Sequence, residues 1–182
     1  MLSKARPRPS KKGYEYGIRA FELLTRSGQY KDFVYVIIGD DTNKLERLVK
    51  DLSLTGKVFL LPSKDRETIV ECYRSSWCFF SPSIVEGLSM VSIEAMAMGL
   101  PLIVTDVPGN IDIVRDNECG IIVRDKDTRS MADGIQRLAS DALLHSKFSN
   151  KGLERAKLYS WDNIAKKYLD VYKIAINRHD RT

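Results

Sequence analysis

Two carboxylates eight positions apart, Glu86 and Glu94, mark the stretch of this chain best suited to chemistry. The stretch runs from Ser81-Pro82-Ser83 through Glu86-Gly87-Leu88-Ser89-Met90-Val91 to Gly99-Leu100-Pro101. Its pattern predicts strand, loop, helix, turn and strand in succession. Glu86 falls in the loop before the helix, and Glu94 about one and a half turns into it. A helix start presents unpaired backbone N–H groups and partial positive charge, so phosphate binds there readily. The N–H groups of Ser89, Met90 and Val91 are the candidate donors. Gly87 lets the backbone come close to a ligand. Two acidic acceptors beside such a helix end suit a ligand with both phosphates and hydroxyls, as a nucleotide sugar has. The spacing alone is common, and most such pairs are helix caps or solvated side chains. The meaning therefore rests on the sequence around them.

A second cluster lies at the start. The first twelve residues hold Lys4, Arg6, Arg8, Lys11 and Lys12 and no acid, while the whole chain carries a net charge of +5. The remainder is therefore neutral. A concentrated basic segment can meet nucleic acid, a membrane or a ligand phosphate, or it can be a solvated tail. Aromatic residues are not interleaved in it and no folded basic face accompanies it, which argues against nucleic acid.

The elements that must position these groups alternate along the chain. Strands are predicted at Met1–Ala5, Phe33–Ile38, Val58–Leu61, Trp77–Phe80, Leu102–Thr105 and Gly120–Val123. Helices are predicted at Tyr14–Ser27, Asn43–Leu54, Asp65–Ser76 and Ser89–Met98, with a short one at Ile111–Arg115. Three further helices, Thr128–Ser140, Ala142–Leu158 and Trp161–Ile176, follow with no strand between them. Six short apolar strands separated by helices predict an α/β fold. It is a Rossmann-like doubly wound sheet of about six parallel strands, with helices on both faces and a helical C-terminal segment. Ligands of such sheets sit outside the carboxyl ends of the strands. That places Arg6–Lys12, Gly39–Asp41, Pro62–Asp65, Ser81–Met90 and Thr105–Asn110 at the candidate site.

Composition narrows the classes. The 182 residues are 43% hydrophobic and 29% charged, which excludes a disordered tail and suits one globular domain of ordinary core size. Apolar runs such as Val34–Ile38 are strand-sized, well short of the ~20 residues that cross a bilayer. The N-terminus lacks the apolar core of a signal peptide. Three cysteines at Cys72, Cys78 and Cys119 form neither a disulfide framework nor a zinc motif, and a cytoplasmic setting is expected. His145 and His179 are the two histidines, both in late helices, so a histidine metal site or a Ser-His-Asp triad is not expected. A dinucleotide-dependent dehydrogenase is disfavoured too, because no G-x-G-x-x-G follows the first strand.

The stretch from Glu86-Gly-Leu-Ser-Met-Val-Ser-Ile-Glu94 through Ala-Met-Ala-Met-Gly-Leu-Pro101 to Asp106-Val-Pro-Gly109 resembles the signature of retaining glycosyltransferases with the GT-B fold, family four or group one. Other parts agree. Ala5-Arg6 through Lys11-Lys12-Gly13 resembles the family's Gly-Arg…Lys-Gly element. Val36–Asp40 resembles its strand ending in Gly-Asp, Cys119–Val123 its last strand, and Tyr159-Ser160-Trp161 its final helix start. The resemblance implies roles. Arg6 and Lys12 would hold the donor diphosphate and offset charge on the departing nucleotide. Glu86 would contact the transferred sugar, and Glu94 the ribose hydroxyls. The N–H groups of Gly87, Leu88, Ser89, Met90 and Val91 would bind sugar and phosphate oxygens. Residues from Leu61 to Lys64 would line the base pocket. Neither a cofactor nor a metal is implied, because the cation pair and the helix dipole stand in for one. Departures fall at Ala5, Leu88-Ser89, Pro108-Gly109 and Ile111-Asp112, where donor sugar and acceptor are recognised.

The same resemblance implies that residues 1–182 are one nucleotide-sugar-binding domain, the C-terminal half of a two-domain enzyme. The N-terminal acceptor domain would be absent, and 161–178 would be a crossover-type helix whose exposed apolar face could drive self-association. The implied partners are a nucleoside-diphosphate sugar, a glycan or glycolipid acceptor and the missing domain. The full-length protein would work in the cytoplasm or at the inner face of the membrane. The alternative is a non-catalytic nucleotide- or glycan-binding module with the same fold.

Overall fold

The computed structural model describes residues 1–4, 11–114 and 118–179; of Lys4, Arg178 and His179 only the backbone is described. Among these residues six strands form one sheet in the order β3-β2-β1-β4-β5-β6. They are β1 (Leu2–Lys4), β2 (Tyr35–Ile38), β3 (Val58–Leu61), β4 (Phe79–Ser81), β5 (Leu102–Thr105) and β6 (Gly120–Val123). Every pairing is parallel, with Leu2 opposite both Val36 and Phe79, and Phe80 opposite Ile103. The chain winds outward from β1 to one edge, then returns to β4 and winds to the other. The direction of winding reverses between β1 and β4, and that gap is the switch point where such sheets bind ligands.

Helices α1 (Tyr14–Arg26), α2 (Glu46–Asp51) and α6 (Thr128–Ala139) cover one face. Helices α3 (Arg66–Arg74), α4 (Met90–Ala97) and α5 (Pro108–Val114) cover the other. Neighbouring strand residues serve opposite layers, as the two-residue period of a strand requires. Ile37, Phe80 and Ile103 pack with α1 and α6, whereas Ile38, Phe79 and Leu102 pack with α3, α4 and α5. Burial on both faces explains why the strands read as unbroken apolar runs. Helix α1 buries Ile18, Phe21 and Leu24, and α6 buries Met131, Ile135 and Leu138, each a stripe at helical spacing. Helices α7 (Ala142–Ala156) and α8 (Trp161–His179) complete the described chain.

Several elements differ from the sequence reading; β2, for one, starts at Tyr35 rather than Phe33. The segment expected as a helix over 43–54 opens as a 3₁₀ turn at Thr42–Leu45, and only Glu46–Asp51 is α-helical. Asp41 and Ser53 hold left-handed φ values of 60° and 56°, which bound the helix at both ends. Helix α5 begins at Pro108 rather than Ile111. Proline suits a first helical turn because its missing N–H has no partner there in any case. Strand β4 lies nearer the site than expected, at Phe79–Ser81. Trp77 stays outside the strand and stacks on His145 at 4.8 Å, while His145 Nε2 lies 2.9 Å from the Trp77 carbonyl.

Candidate functional site

The site is built where the turn before α1 meets the loop after β4. The Ile84 N–H donates to the Lys11 carbonyl at 2.9 Å and ties the two segments together. Gly13 has φ +61°, and a Cβ there would lie 1.9 Å from the Pro82 carbonyl oxygen. Both the backbone conformation and the close approach therefore require glycine. This docking brings Lys12 Nζ to 2.6 Å from Glu86 Oε2, with side-chain exposures of 20% and 14%. Two residues 74 apart in sequence thus form one part-buried ion pair at the switch point.

A chain of small polar groups lies beneath the pair. Ser83 Oγ donates to Glu86 Oε2 at 3.5 Å, and Ser81 Oγ lies 3.2 Å from Ser83 Oγ. Thr105 Oγ1 donates to the Ser83 carbonyl at 2.5 Å. Asn110 Nδ2 donates to the carbonyl and hydroxyl of Thr105 at 3.2 and 3.1 Å. The Gly109 N–H donates to the Glu86 carbonyl at 3.2 Å. The ends of β5 and α5 thereby hold the loop that carries Glu86. Two buried oxygens nearby, Asn110 Oδ1 and Tyr14 Oη, have no partner among the described residues. Burial raises the Tyr14 phenol above its ordinary pKa, and the neighbouring Tyr35 and then Glu86 add to the rise.

Helix α4 projects from the same loop. Its cap residue Ser89 pairs its hydroxyl with Ser92 Oγ at 2.8 Å and makes no side-chain cap to the backbone. Of the expected N–H donors, Met90 turns back to the Leu88 carbonyl at 3.0 Å. Gly87, Leu88 and Met90 are exposed, Val91 is half-buried and Ser89 is buried. Glu94 is exposed on the helix, and Tyr73 Oη on α3 donates to its Oε2 at 3.1 Å and to the Val91 carbonyl at 3.3 Å. Glu94 opens into a cleft of about 580 Å³ whose lining includes Lys64, Arg66, Val70, Tyr73 and Met98. Apolar walls with a basic rim beside a carboxylate can take a flat polar ring and its hydroxylated sugar.

The structure pairs Lys12 with Glu86, on the loop that leads into α4, and it brings Lys64 and Glu94 together in a cleft. Leu61 does not line that cleft. It lies half-buried against the core, and its carbonyl accepts from the Gly39 N–H at 3.0 Å and the Thr42 hydroxyl at 3.2 Å. Arg6, with Ala5 and Arg8, lies outside the described residues. Sequence reasoning put Thr105 and Asn110 in a segment at the site without assigning them a role, and it missed Tyr73. Tyr73 follows Ile69 at helical spacing and reads as core; Asn110 sits behind Pro108-Gly109 and reads as turn. Among the described residues no group of three or more His, Cys, Asp or Glu is placed to hold a metal, and no helix is long and apolar enough to cross a membrane.

Comparison with known proteins places this geometry. Residues 1–155 match the family model described as glycosyl transferases group 1. An uncharacterized glycosyltransferase of Methanocaldococcus jannaschii is 35% identical over 171 residues, covering 93% of this chain and 44% of its own length. The chain thus spans less than half of that relative. Sucrose-phosphate synthase from Thermosynechococcus elongatus superposes with a TM-score of 0.83 at 25% identity, covering 97% of this chain and 45% of that one. A TarM variant of S. aureus, in complex with fondaparinux, alpha-GlcNAc-glycerol and UDP, gives 0.80 at 25% identity, covering 94% and 35%. With the matched residues spanning the whole sheet, the loops that carry Lys12 and Glu86 and the helix that carries Glu94, this chain belongs to the group 1 glycosyl transferases.

Proposed function

We propose that this chain is the donor-binding domain of an enzyme that transfers a sugar from a nucleoside-diphosphate sugar to an acceptor hydroxyl with retention of configuration. The observation that carries the reading is the part-buried Lys12–Glu86 pair on the loop that leads into α4, the helix whose Glu94 opens into a cleft beside Lys64. A diphosphate at the helix end would take the Lys12 ammonium and the helix dipole as its counter-charges. Charge grows on that diphosphate as the sugar leaves, so a fixed cation there favours the transition state over the ground state. Arg6 would be the second cation. Glu86 would face the transferred sugar, and the leaving phosphate would assist deprotonation of the incoming hydroxyl. Glu94 would bind the ribose, and the cleft beside Lys64 the base. The family and the UDP-bound relative support this assignment.

A divalent metal has no part in the scheme, and chelation should leave nucleotide affinity unchanged. The acceptor would be a glycan or glycolipid, met on further chain that this sequence does not contain. The full-length protein would work in the cytoplasm or at the inner face of the membrane. The isolated chain would bind the donor and turn over little. The test is a thermal-shift panel of UDP, GDP, ADP and their sugars. A ligand at about 100 times its Kd stabilises by about 2.7 kcal/mol. For a chain of this size that is a rise in Tm of roughly 5–10 °C. One base should stand out; no shift with any of them in the folded protein would defeat the reading.

A further inference from the structure

We propose that Tyr73 is a positioning residue for the nucleotide end of the site, its hydroxyl holding the Glu94 carboxylate in the orientation that recognises a ribose diol. The inference rests on the donor-binding reading above. Tyr73 is 1% exposed, and its ring packs on Phe79 at 6.0 Å between centroids. The ring is thus clamped in the core while the hydroxyl reaches the cleft where Glu94 lies. Its hydrogen is shared between Glu94 Oε2 and the Val91 carbonyl, both on α4. The charged acceptor takes the stronger share.

The arrangement solves a physical problem at Glu94. An exposed glutamate on a helix samples several rotamers, and a ligand that needs one of them must order the side chain on binding. A donor fixed by core packing does that ordering beforehand, which is how preorganisation raises affinity. Two vicinal hydroxyls need a carboxylate at a set distance and plane, so they gain most from it. Burial is the main cause that raises the Tyr73 phenol above its ordinary pKa; the charge and hydrogen bond of Glu94 add to it. The hydroxyl therefore stays protonated, and a donor, around neutral pH. The opposing explanation is that Tyr73 merely fastens α3 to α4, which would affect all ligands alike.

The test uses isothermal titration of the full chain with UDP, GDP and ADP, then with the 2′-deoxy form of whichever binds most tightly. Tyr73→Phe keeps the ring that fills the core. It should weaken the ribonucleotide about tenfold, the worth of one hydrogen bond to a charged group, and the 2′-deoxynucleotide less than about twofold. In a Glu94→Gln background Tyr73→Phe should add less than about twofold, because the tyrosine acts through the carboxylate. Glu94→Asp, at an exposed position, keeps the charge and withdraws it from the hydroxyl; discrimination between ribose and deoxyribose should fall with it. Equal weakening of both ligands by Tyr73→Phe, additivity with Glu94→Gln, or full discrimination in Glu94→Asp overturns the positioning role. Tight binding by the wild type that Tyr73→Phe leaves unchanged overturns it alone. Absence of binding by the folded wild type overturns the donor reading and this inference together.

Discussion

At the scale of single residues, the two carboxylates separate by their partners. Glu86 is engaged by Lys12 and Ser83, whereas Glu94 is engaged by Tyr73. Glu94→Ala should weaken a free nucleoside diphosphate about tenfold or more, as expected for losing hydrogen bonds to a charged group. Glu86→Ala should leave the free diphosphate within about twofold, since it also releases Lys12, and should weaken the sugar-bearing donor instead. Calorimetry with the diphosphate and its sugar separates the two, and equal affinity in wild type and Glu94→Ala would remove the ribose role. The cysteines give a second residue-level expectation. Cys78 is 0% exposed, and burial pushes its thiol from 9.0 up to about 11. Its folded value exceeds its unfolded one, so its contribution to stability is intact below about pH 9 and is lost as the pH climbs toward 11. At pH 8 a thiol reagent should modify half-buried Cys72 first and leave Cys78 and Cys119 protected until the protein unfolds. Rapid labelling of Cys78 in the folded protein would contradict this.

At the scale of elements, the site is a meeting of ends. Helix α5 approaches the Glu86 loop so closely that a Cβ on Gly109 would lie 2.3 Å from the Gly87 carbonyl oxygen and 2.6 Å from that of Glu86. Both contacts are to backbone, so one segment must move. Gly109→Ala should cost about 1–3 kcal/mol, the range for overpacking a closed site. It should also lower affinity for the sugar-bearing donor more than for the free diphosphate, because the displaced loop carries Glu86. Urea unfolding and calorimetry measure the two effects. A variant as stable as the wild type would mean that the contact is relieved without strain. Much of this level was legible beforehand. The helix stripe Ile18, Phe21, Leu24 and the strands Leu102–Thr105 and Gly120–Val123 stand where their patterns put them. Helix α5 starts earlier than its pattern predicts because Pro108-Gly109 serves equally in a turn and in a first helical turn.

At the scale of the whole molecule, the outlier is α8. Tyr168, Leu169, Val171, Tyr172, Ile174 and Ile176 along it are each more than half exposed. Apolar surface of this extent marks a contact face. Self-association of the isolated chain should therefore rise with concentration, and Tyr168→Lys with Val171→Lys should hold it monomeric in sedimentation velocity. An association unchanged by both substitutions would place the contact elsewhere.

The sequence by itself determined the class of fold, the alternation of elements and the two acidic positions flanking the α4 start. Those properties are local: period, turn chemistry and residue order along one stretch decide them. The family followed from the same stretch, because its residues are consecutive. Only the tertiary structure decided which distant groups meet. Lys12 reaches Glu86 across 74 positions, and Tyr73 reaches Glu94 across 21. Nothing in the spacing of those pairs announces them. Lys12 meets Glu86 because winding reverses between β1 and β4, which lays the turn before α1 on the loop after β4, and Tyr73 meets Glu94 because α3 and α4 cover the same face of the sheet. A buried tyrosine and a buried asparagine look like packing in one dimension. Their polar atoms acquire a role once the sheet sets what they face.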